Sequence, residues 1–431
     1  MLNAPSYHSP SGWNALLSPR IPRTDLPMKR RYKTIVIGAG ITGLAAAHRL
    51  AELSNGDPIL VLEASTVGEG ATSRNSGYLL VNPGEPSANA TDFSRDWAQR
   101  QMGMAQAGID WLKTSAERHA IDCSWDETSP TVTVAASPRV EAGARQTHEA
   151  YRALGMHQAE YNRTSLSQLA GTDYYSYGFQ SLTRALVQPA ALHRGLADAL
   201  PSNVTLLEQS PVTEITGLGP FEVRTSKCAF VAEQIFITNN LHARAMGLNI
   251  GRMVGIFTYA ALTPELPADE LSKLGEAQSW GLLPAHRIGT TLRKVGRRLL
   301  IRSGDSYERE QSSSHVRALL ATFYSNRFPQ MRSHEFQHVW GGVTSITRNG
   351  GYHFGQFKPG IYVSAGCGGA GLARGAIHGR LLAELASGQT SQLLKDRLGM
   401  KRPTWLPPEP LRSVGAQIEI AIAKLQGGRE R

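Results

Sequence analysis

Apolar residues along this chain occur as short dense runs and as longer stretches of helical spacing. Residues 34–37 (Thr-Ile-Val-Ile) and 59–62 (Ile-Leu-Val-Leu) are apolar and rich in β-branched side chains, the pattern of parallel strands buried on both faces. Between them, residues 44–53 carry Ala45, Ala46 and Ala47 within a helical pattern, so the three pieces predict a βαβ unit of about 30 residues. Residues 92–120 predict a helix with Trp97, Met104, Ile109, Trp111 and Leu112 as its apolar positions, and residues 130–136 alternate like a strand. A helix is expected over 189–200, opened by Pro189. Strands follow near 204–207, 212–215, 221–225 and 234–238, then a longer one at 252–263. Residues 297–302 read as a strand, 313–326 as a helix, and 361–365 as a last apolar strand that runs through Gly366–Gly371 into a helix over 372–387. Pro5, Pro10, Pro19 and Pro22 exclude a long helix from residues 1–31, which read as an extended arm. Residues 403–431 begin Pro-rich and end in a weakly amphipathic helix.

The 431 residues, 41% hydrophobic and 19% charged, are those of an ordinary globular protein with room for two domains. No apolar run approaches the roughly 20 residues that cross a bilayer, and the polar N-terminus has no apolar core of a secretory signal. Cys123, Cys228 and Cys367 are too few and too dispersed for a disulfide framework or a zinc site, which suits a reducing compartment and makes the cytoplasm the default location. The net charge of +10 gathers at Lys29–Arg31, at Arg293, Lys294, Arg297 and Arg298, and across 395–402. No recognised nucleic-acid motif accompanies these runs, so they read as solvated surface that attracts an anionic cofactor or substrate, and no nucleic-acid partner is expected.

The chemistry begins at Gly38-Ala39-Gly40-Ile41-Thr42-Gly43, which follows the first strand and opens the first helix. In a G-x-G-x-x-G turn the first glycine makes the bend, the second admits a pyrophosphate and the third lets helix and strand close together. The helix N-terminus then offers N–H groups to phosphate. Glu63 ends the second strand 20 residues after Gly43, where an acid hydrogen-bonds the adenosine ribose. These features establish a dinucleotide site and leave NAD and FAD both open.

The next segment separates the two. Glu63-Ala64, followed by residues 68–77 (Gly-Glu-Gly-Ala-Thr-Ser-Arg-Asn-Ser-Gly), resembles the second fingerprint of the D-amino-acid-oxidase-like flavoprotein family, in its glycine oxidase, sarcosine oxidase and gamma-glutamylputrescine oxidoreductase group. Residues 361–373 resemble the C-terminal glycine turn of the same family, which aims a helix at the flavin ring. The resemblance implies an α/β fold: a two-dinucleotide-binding FAD domain built from 32–95, 160–245 and 345–395, with an inserted antiparallel-sheet substrate domain at 96–159 and 246–344, and a C-terminal extension at 396–431. It implies non-covalent FAD held by Gly38 to Gly43, Glu63, Ala64, Thr72, Ser73, Arg74, Asn75, Ser76, Gly77, Val212, Asn239, Gly366, Gly368, Gly369, Ala370, Gly371 and Leu372. Cys367 is expected as a small thiol rather than a flavin tether.

The resemblance also implies the activity: oxidation of an amine or amino acid by hydride transfer from the carbon beside nitrogen to flavin N5, giving an imine, with oxygen, a quinone or an electron-transfer protein as acceptor. Alternatives are a flavoprotein acting on modified RNA and a non-catalytic flavin subunit of a heteromeric dehydrogenase. Candidates for the chemistry are Arg293 and Arg302 flanking a hairpin at 292–304, Tyr259 beside Phe257 on the inserted strand, and Ser345 before the second glycine turn. Lys294 is the nearest lysine for reaction with oxygen, and His353 reads as a loop residue. No metal site is expected.

Overall fold

The computed structural model describes residues 6–81, 95–247, 251–331, 334–366 and 368–431. Cys367, and the part of the expected helix before Arg95, lie outside the described residues. The chain opens with a short helix α1 (Gly12–Ala15), then β1 (Arg31–Ile37), α2 (Ile41–Leu53), β2 (Ile59–Leu62) and β3 (Tyr78–Leu80). Next come α3 (Arg95–Arg118), β4 (Thr131–Ala135), α4 (Pro138–Ala153), β5 (Glu160–Asn162), α5 (Arg163–Ala170), β6 (Tyr177–Gln180), β7 (Thr183–Leu186) and α6 (Pro189–Asp198). The middle of the chain supplies β8 (Val204–Leu207), β9 (Val212–Thr216), β10 (Phe221–Thr225), β11 (Ala229–Ile237) and β12 (Met253–Leu262). After α7 (Ala268–Leu271) come β13 (Trp280–Pro284), β14 (Thr291–Val295), β15 (Arg298–Tyr307), α8 (Ser313–Arg327), β16 (His338–Thr347), β17 (His353–Lys358) and β18 (Ile361–Ala365). Helices α9 (Gly371–Ala386), α10 (Gln392–Leu398) and α11 (Leu411–Gly427) close the chain.

These elements form an α/β protein with two large sheets. The first runs β17-β18-β11-β1-β2-β8, with the β9–β10 hairpin attached to β11. Its five strands from β18 to β8 are parallel. All four residues of β2 and the last four of β1 are buried, as strands covered on both faces must be. Helices α2 and α9 pack on one face so closely that a Cβ on Gly379 would lie 2.1 Å from the Thr42 carbonyl oxygen. The second sheet runs β16-β12-β15-β14-β13-β4-β6-β5 and is antiparallel except for β13 against β4. The hairpin expected at 292–304 is β14–β15, closed by Val295 opposite Arg298.

One boundary and one helix differ from expectation. Strands β5 and β6 pair within the second sheet, not in the nucleotide-binding sheet assigned to 160–245. The chain returns to that sheet at β8, after β7 has paired with β3. Helix α4 lies where no helix was expected, because it buries only Val140, Ala144 and His148 and so carries little apolar periodicity.

The N-terminal arm is extended, and it is also fastened. Trp13 is fully buried among Ala190, Ala260, Leu262, Leu300 and Trp340, and its indole N–H donates to the Asn75 carbonyl at 2.7 Å. Ser11 Oγ donates to the Ser73 carbonyl, and Arg20 pairs with Asp198 and with fully buried Glu208. The arm thus straps the loop 73–75 to both sheets. Trp13→Ala removes a large buried side chain and strands the Asn75 carbonyl, so a loss of about 3–5 kcal/mol is expected. Denaturant melts of the flavin-loaded protein check this, and an unchanged midpoint would show that the arm is merely draped.

Candidate flavin and substrate site

Both glycine turns open onto one cavity of about 1620 Å³ between the two sheets. At the first turn, Gly38 adopts φ +99°, a left-handed conformation that glycine accepts without strain. A Cβ on Gly43 would fall 1.9 Å from the Gly38 carbonyl oxygen, so α2 can leave the strand only with glycine there. Glu63 lines the cavity and accepts the N–H of Ala39 and of Ser65, each at 2.9 Å. Burial raises its pKa while these backbone donors pull it down. A carboxylate has further lone pairs to offer a sugar hydroxyl. Thr72 Oγ accepts the Ile41 N–H at 3.0 Å and sits against Gly40.

At the second turn, Asn240 ties three elements together. Its Oδ1 accepts from Ser345 Oγ at 2.7 Å and from the Gly366 N–H at 2.8 Å. Gly366, Gly368, Gly369, Ala370, Gly371 and Leu372 all line the cavity, and a Cβ on Gly369 would meet no protein atom within 4 Å. Asn239 also faces the cavity, with a buried Oδ1 that has no hydrogen-bond partner among the described residues. Two glycine cradles, a buried acid at the end of the second strand and an orphaned acceptor on one cavity fit FAD.

The expected cofactor residues divide into wall and support. Gly38, Gly40, Ile41, Thr42, Glu63, Ala64, Thr72, Asn75, Ser76, Val212 and Asn239 line the cavity with the second turn. Ala39, Gly43, Ser73 and Gly77 stand behind that lining and shape it. Arg74 reaches the cavity wall, yet its guanidinium is not free for phosphate. Nε donates to the Glu69 carbonyl, Nη1 to the carbonyls of Ser9 and Gly341, and Nη2 to the Glu69 carboxylate. The Tyr7 ring covers it at 3.7 Å. Arg74 is therefore a hub joining the second fingerprint to the arm and to β16, because loop 69–77 turns its side chain away from the cavity's centre.

The expected chemistry separates similarly. Arg293 is buried on β14, outside the lining, with Nη1 donating to the carbonyls of Ser76 and Val187; it braces the flavin loop. Position along the hairpin decides this: Thr291 and Arg293, two residues apart, share one face of β14, but Thr291 and its cross-strand partner Arg302 border the cavity, while Arg293, nearer the turn, is covered by Ser76 and Val187. Ser345 is fully buried against Asn240 and supports Gly366 instead of meeting substrate. Tyr259 lines the cavity, but its hydroxyl is shared with Ser306 at 2.5 Å and the Gln311 N–H at 2.8 Å. Lys294 is buried away from the cavity, donating to the Ala277 carbonyl.

Arg302 is different. It lines the cavity with no hydrogen bond or ion pair to any described residue, and burial lowers its pKa without removing its charge. Asp305, three residues on, shares the cavity, and burial raises its carboxyl pKa.

Sequence reasoning missed His193. Its Nε2 lies 2.6 Å from the Ala39 carbonyl and its Nδ1 2.8 Å from Ser73 Oγ. The neutral ring donates to the carbonyl and accepts from the hydroxyl, joining both fingerprints, and burial lowers its pKa to about 4. The available signal was its position in a helix opened by Pro189, which Gln188 caps by accepting the Ala191 N–H. Below pH 6.5 the unfolded chain binds a proton that the fold refuses, so His193 makes stability fall as pH drops from about 6.5 towards 4. Flavin release should follow, and H193Q should make that part of the pH–stability curve shallower, the remaining slope coming from His353 and His378, whose pKa values burial also lowers. An equally steep curve in H193Q would assign the acid sensitivity elsewhere.

Residues 33–385 match the family described as FAD dependent oxidoreductase. The chain is 27% identical over 404 residues to a probable oxidoreductase OrdL of Haemophilus influenzae, spanning 90% of each. It is 25% identical over 362 residues to gamma-glutamylputrescine oxidoreductase of Escherichia coli, spanning 83% of this chain and 84% of that one. Glycine oxidase from Geobacillus kaustophilus shares the fold, with a TM-score of 0.72 at 19% identity over 84% of this chain and 96% of that chain. No helix among the described residues is long and apolar enough to cross a membrane.

Proposed function

This chain belongs to the FAD-dependent oxidoreductase family, and from that premise we propose that it oxidises an amine or amino acid whose molecule also carries a carboxylate. The observation that carries this reading is Arg302, an enclosed cation on the cavity that makes no side-chain hydrogen bond or ion pair to a described residue and feels only the charge of nearby Asp305. A guanidinium in that state offers a planar pair of donors to a carboxylate. Asp305, on the same wall and within the field of Arg302, supplies a carboxylate for the substrate's ammonium. Relatives support the class: one acts on gamma-glutamylputrescine and a structural neighbour on glycine, as their names state.

FAD, when bound, would supply the two-electron oxidising chemistry that takes hydride from the carbon next to nitrogen and leaves an imine. The protein's part is binding and orientation. Glu63 and the Gly38–Gly43 turn would hold the adenosine and pyrophosphate half, and the 366–372 turn at the start of α9 would hold the flavin half. Arg302 anchors the carboxylate, and Asp305, with its raised pKa, is suited to receive the proton an ammonium must lose before oxidation.

An anaerobic panel of amines with and without carboxylates, followed by bleaching of the flavin absorbance, tests this. Carboxylate-bearing amines should bleach the flavin and their decarboxylated analogues should not. Equal bleaching by both sets, or a colourless protein that cannot be loaded with FAD, overturns the reading.

A further inference from the structure

Fourteen large apolar side chains are exposed among the described residues, and six of them, Trp405, Leu411, Val414, Ile418, Ile422 and Leu425, fall within residues 405–425. The five on α11 recur every three or four residues and form one stripe along the helix. The opposite face of α11 meets the protein, where Ala423 and Gly427 are buried and Lys424 donates to the Asp305 carbonyl at 3.2 Å. A surface helix ordinarily turns its apolar stripe to the core. Here the stripe is exposed, with Leu411 and Ile418 also bordering the cavity mouth and Val414, Ile422 and Leu425 clear of it, and a continuous apolar surface of this kind marks an interaction site.

Charge indicates what covers it. Between residues 401 and 431, Lys401, Arg402, Arg412, Lys424, Arg429 and Arg431 are opposed by Glu409, Glu419 and Glu430. Glu430 is buried, accepting the N–H groups of Ala136 and Ser137, so it does not offset the surface charge. Lys401, Arg402 and Arg429 are exposed at the two ends of the stripe. Twofold pairing with a second copy would set this patch against itself, cation towards cation, on a chain of net charge +10. An anionic surface has no such conflict. Trp405, 62% exposed beside Lys401 and Arg402, is the side chain that settles at a lipid–water boundary.

We propose that α11 and the segment 401–405 dock this protein on the surface of an anionic phospholipid bilayer. The stripe enters the boundary between headgroups and acyl chains, and the flanking cations meet lipid phosphates. Because Ala416, Ile420 and Ala423 of the same helix line the cavity, docking sets that wall of the cavity against the lipid. The docking is independent of which amine is oxidised.

Flotation of the flavin-loaded full-length protein with phosphatidylcholine vesicles, with and without phosphatidylglycerol, tests the proposal. Binding should require phosphatidylglycerol and weaken with salt. V414E/I422E/L425E should lower partitioning by about tenfold or more, and K401E/R402E should remove most of the dependence on phosphatidylglycerol. Val414, Ile422 and Leu425 are exposed and lie off the cavity, so retained flavin absorbance verifies the variant's fold. Absence of binding, equal binding to neutral vesicles, or binding unchanged in V414E/I422E/L425E overturns it. So does light scattering that shows a dimer which the same variant dissociates, since the stripe then belongs to a second copy.

Discussion

Gly43→Ala should leave a protein that cannot retain FAD. The added Cβ would stand 1.9 Å from the Gly38 carbonyl oxygen and 2.8 Å from Thr238 Oγ1. Neither can retreat. The Gly38 N–H donates to the Leu62 carbonyl at 2.8 Å, and Thr238 Oγ1 donates to the carbonyls of Ile37 and Gly38. Helix α2 must therefore lift off the turn, which costs at least the 1–3 kcal/mol or so of an overpacked core and misaims its N-terminus. A cofactor at about 1,000 times its Kd contributes about 4 kcal/mol to stability, so losing it compounds the damage. The flavin-to-protein ratio, read from absorbance, should fall at least about tenfold, with a lower melting temperature. Gly369→Ala is the control: its Cβ meets no protein atom within 4 Å, so the fold should persist. A fully flavinated G43A would refute the close-packing argument.

Arg302→Met should retain FAD and lose its preferred substrate. Methionine fills part of the space without the charge, and no hydrogen bond or ion pair to a described residue is broken, although Asp305 loses the nearby charge that holds its carboxyl pKa down. The loss is then that of a charge-assisted pair in an enclosed site, about 2–4 kcal/mol, or roughly 30- to 700-fold in kcat/KM for a carboxylate-bearing amine. The decarboxylated analogue should change little, so the ratio of the two substrates collapses. Stopped-flow reduction of the flavin without oxygen measures this directly. If both substrates decline equally, Arg302 acts on the flavin or the fold instead of the carboxylate.

The parts legible beforehand are those whose geometry is local. Strands β2, β8, β10 and β18 lie at the expected residues, because a buried strand is a short apolar run between turns. The hairpin of β14 and β15 was equally readable. Helix α4 was not, since its stability comes from three buried side chains and not from an apolar stripe. Arg293 and Arg302 looked equivalent along the chain, being neighbours across one hairpin. They share one face of the sheet, and only what packs on that face separates them: Ser76 and Val187 cover Arg293 near the turn, while Arg302, farther from the turn, borders the cavity. Arg74 likewise carried a family role by position, while the arm 65 residues before it and the strand 267 residues after it claim its donors.

The cofactor was thus determined by the sequence itself, because a dinucleotide turn is a matter of consecutive backbone conformations: Gly38 at positive φ, Gly43 against Gly38, and Glu63 at the end of the next strand. Which side chains face the substrate was decided by the tertiary structure alone. That choice depends on sheet register, on the seating of the arm under Trp13 and on the outward turn of α11, each a contact between residues far apart in the chain.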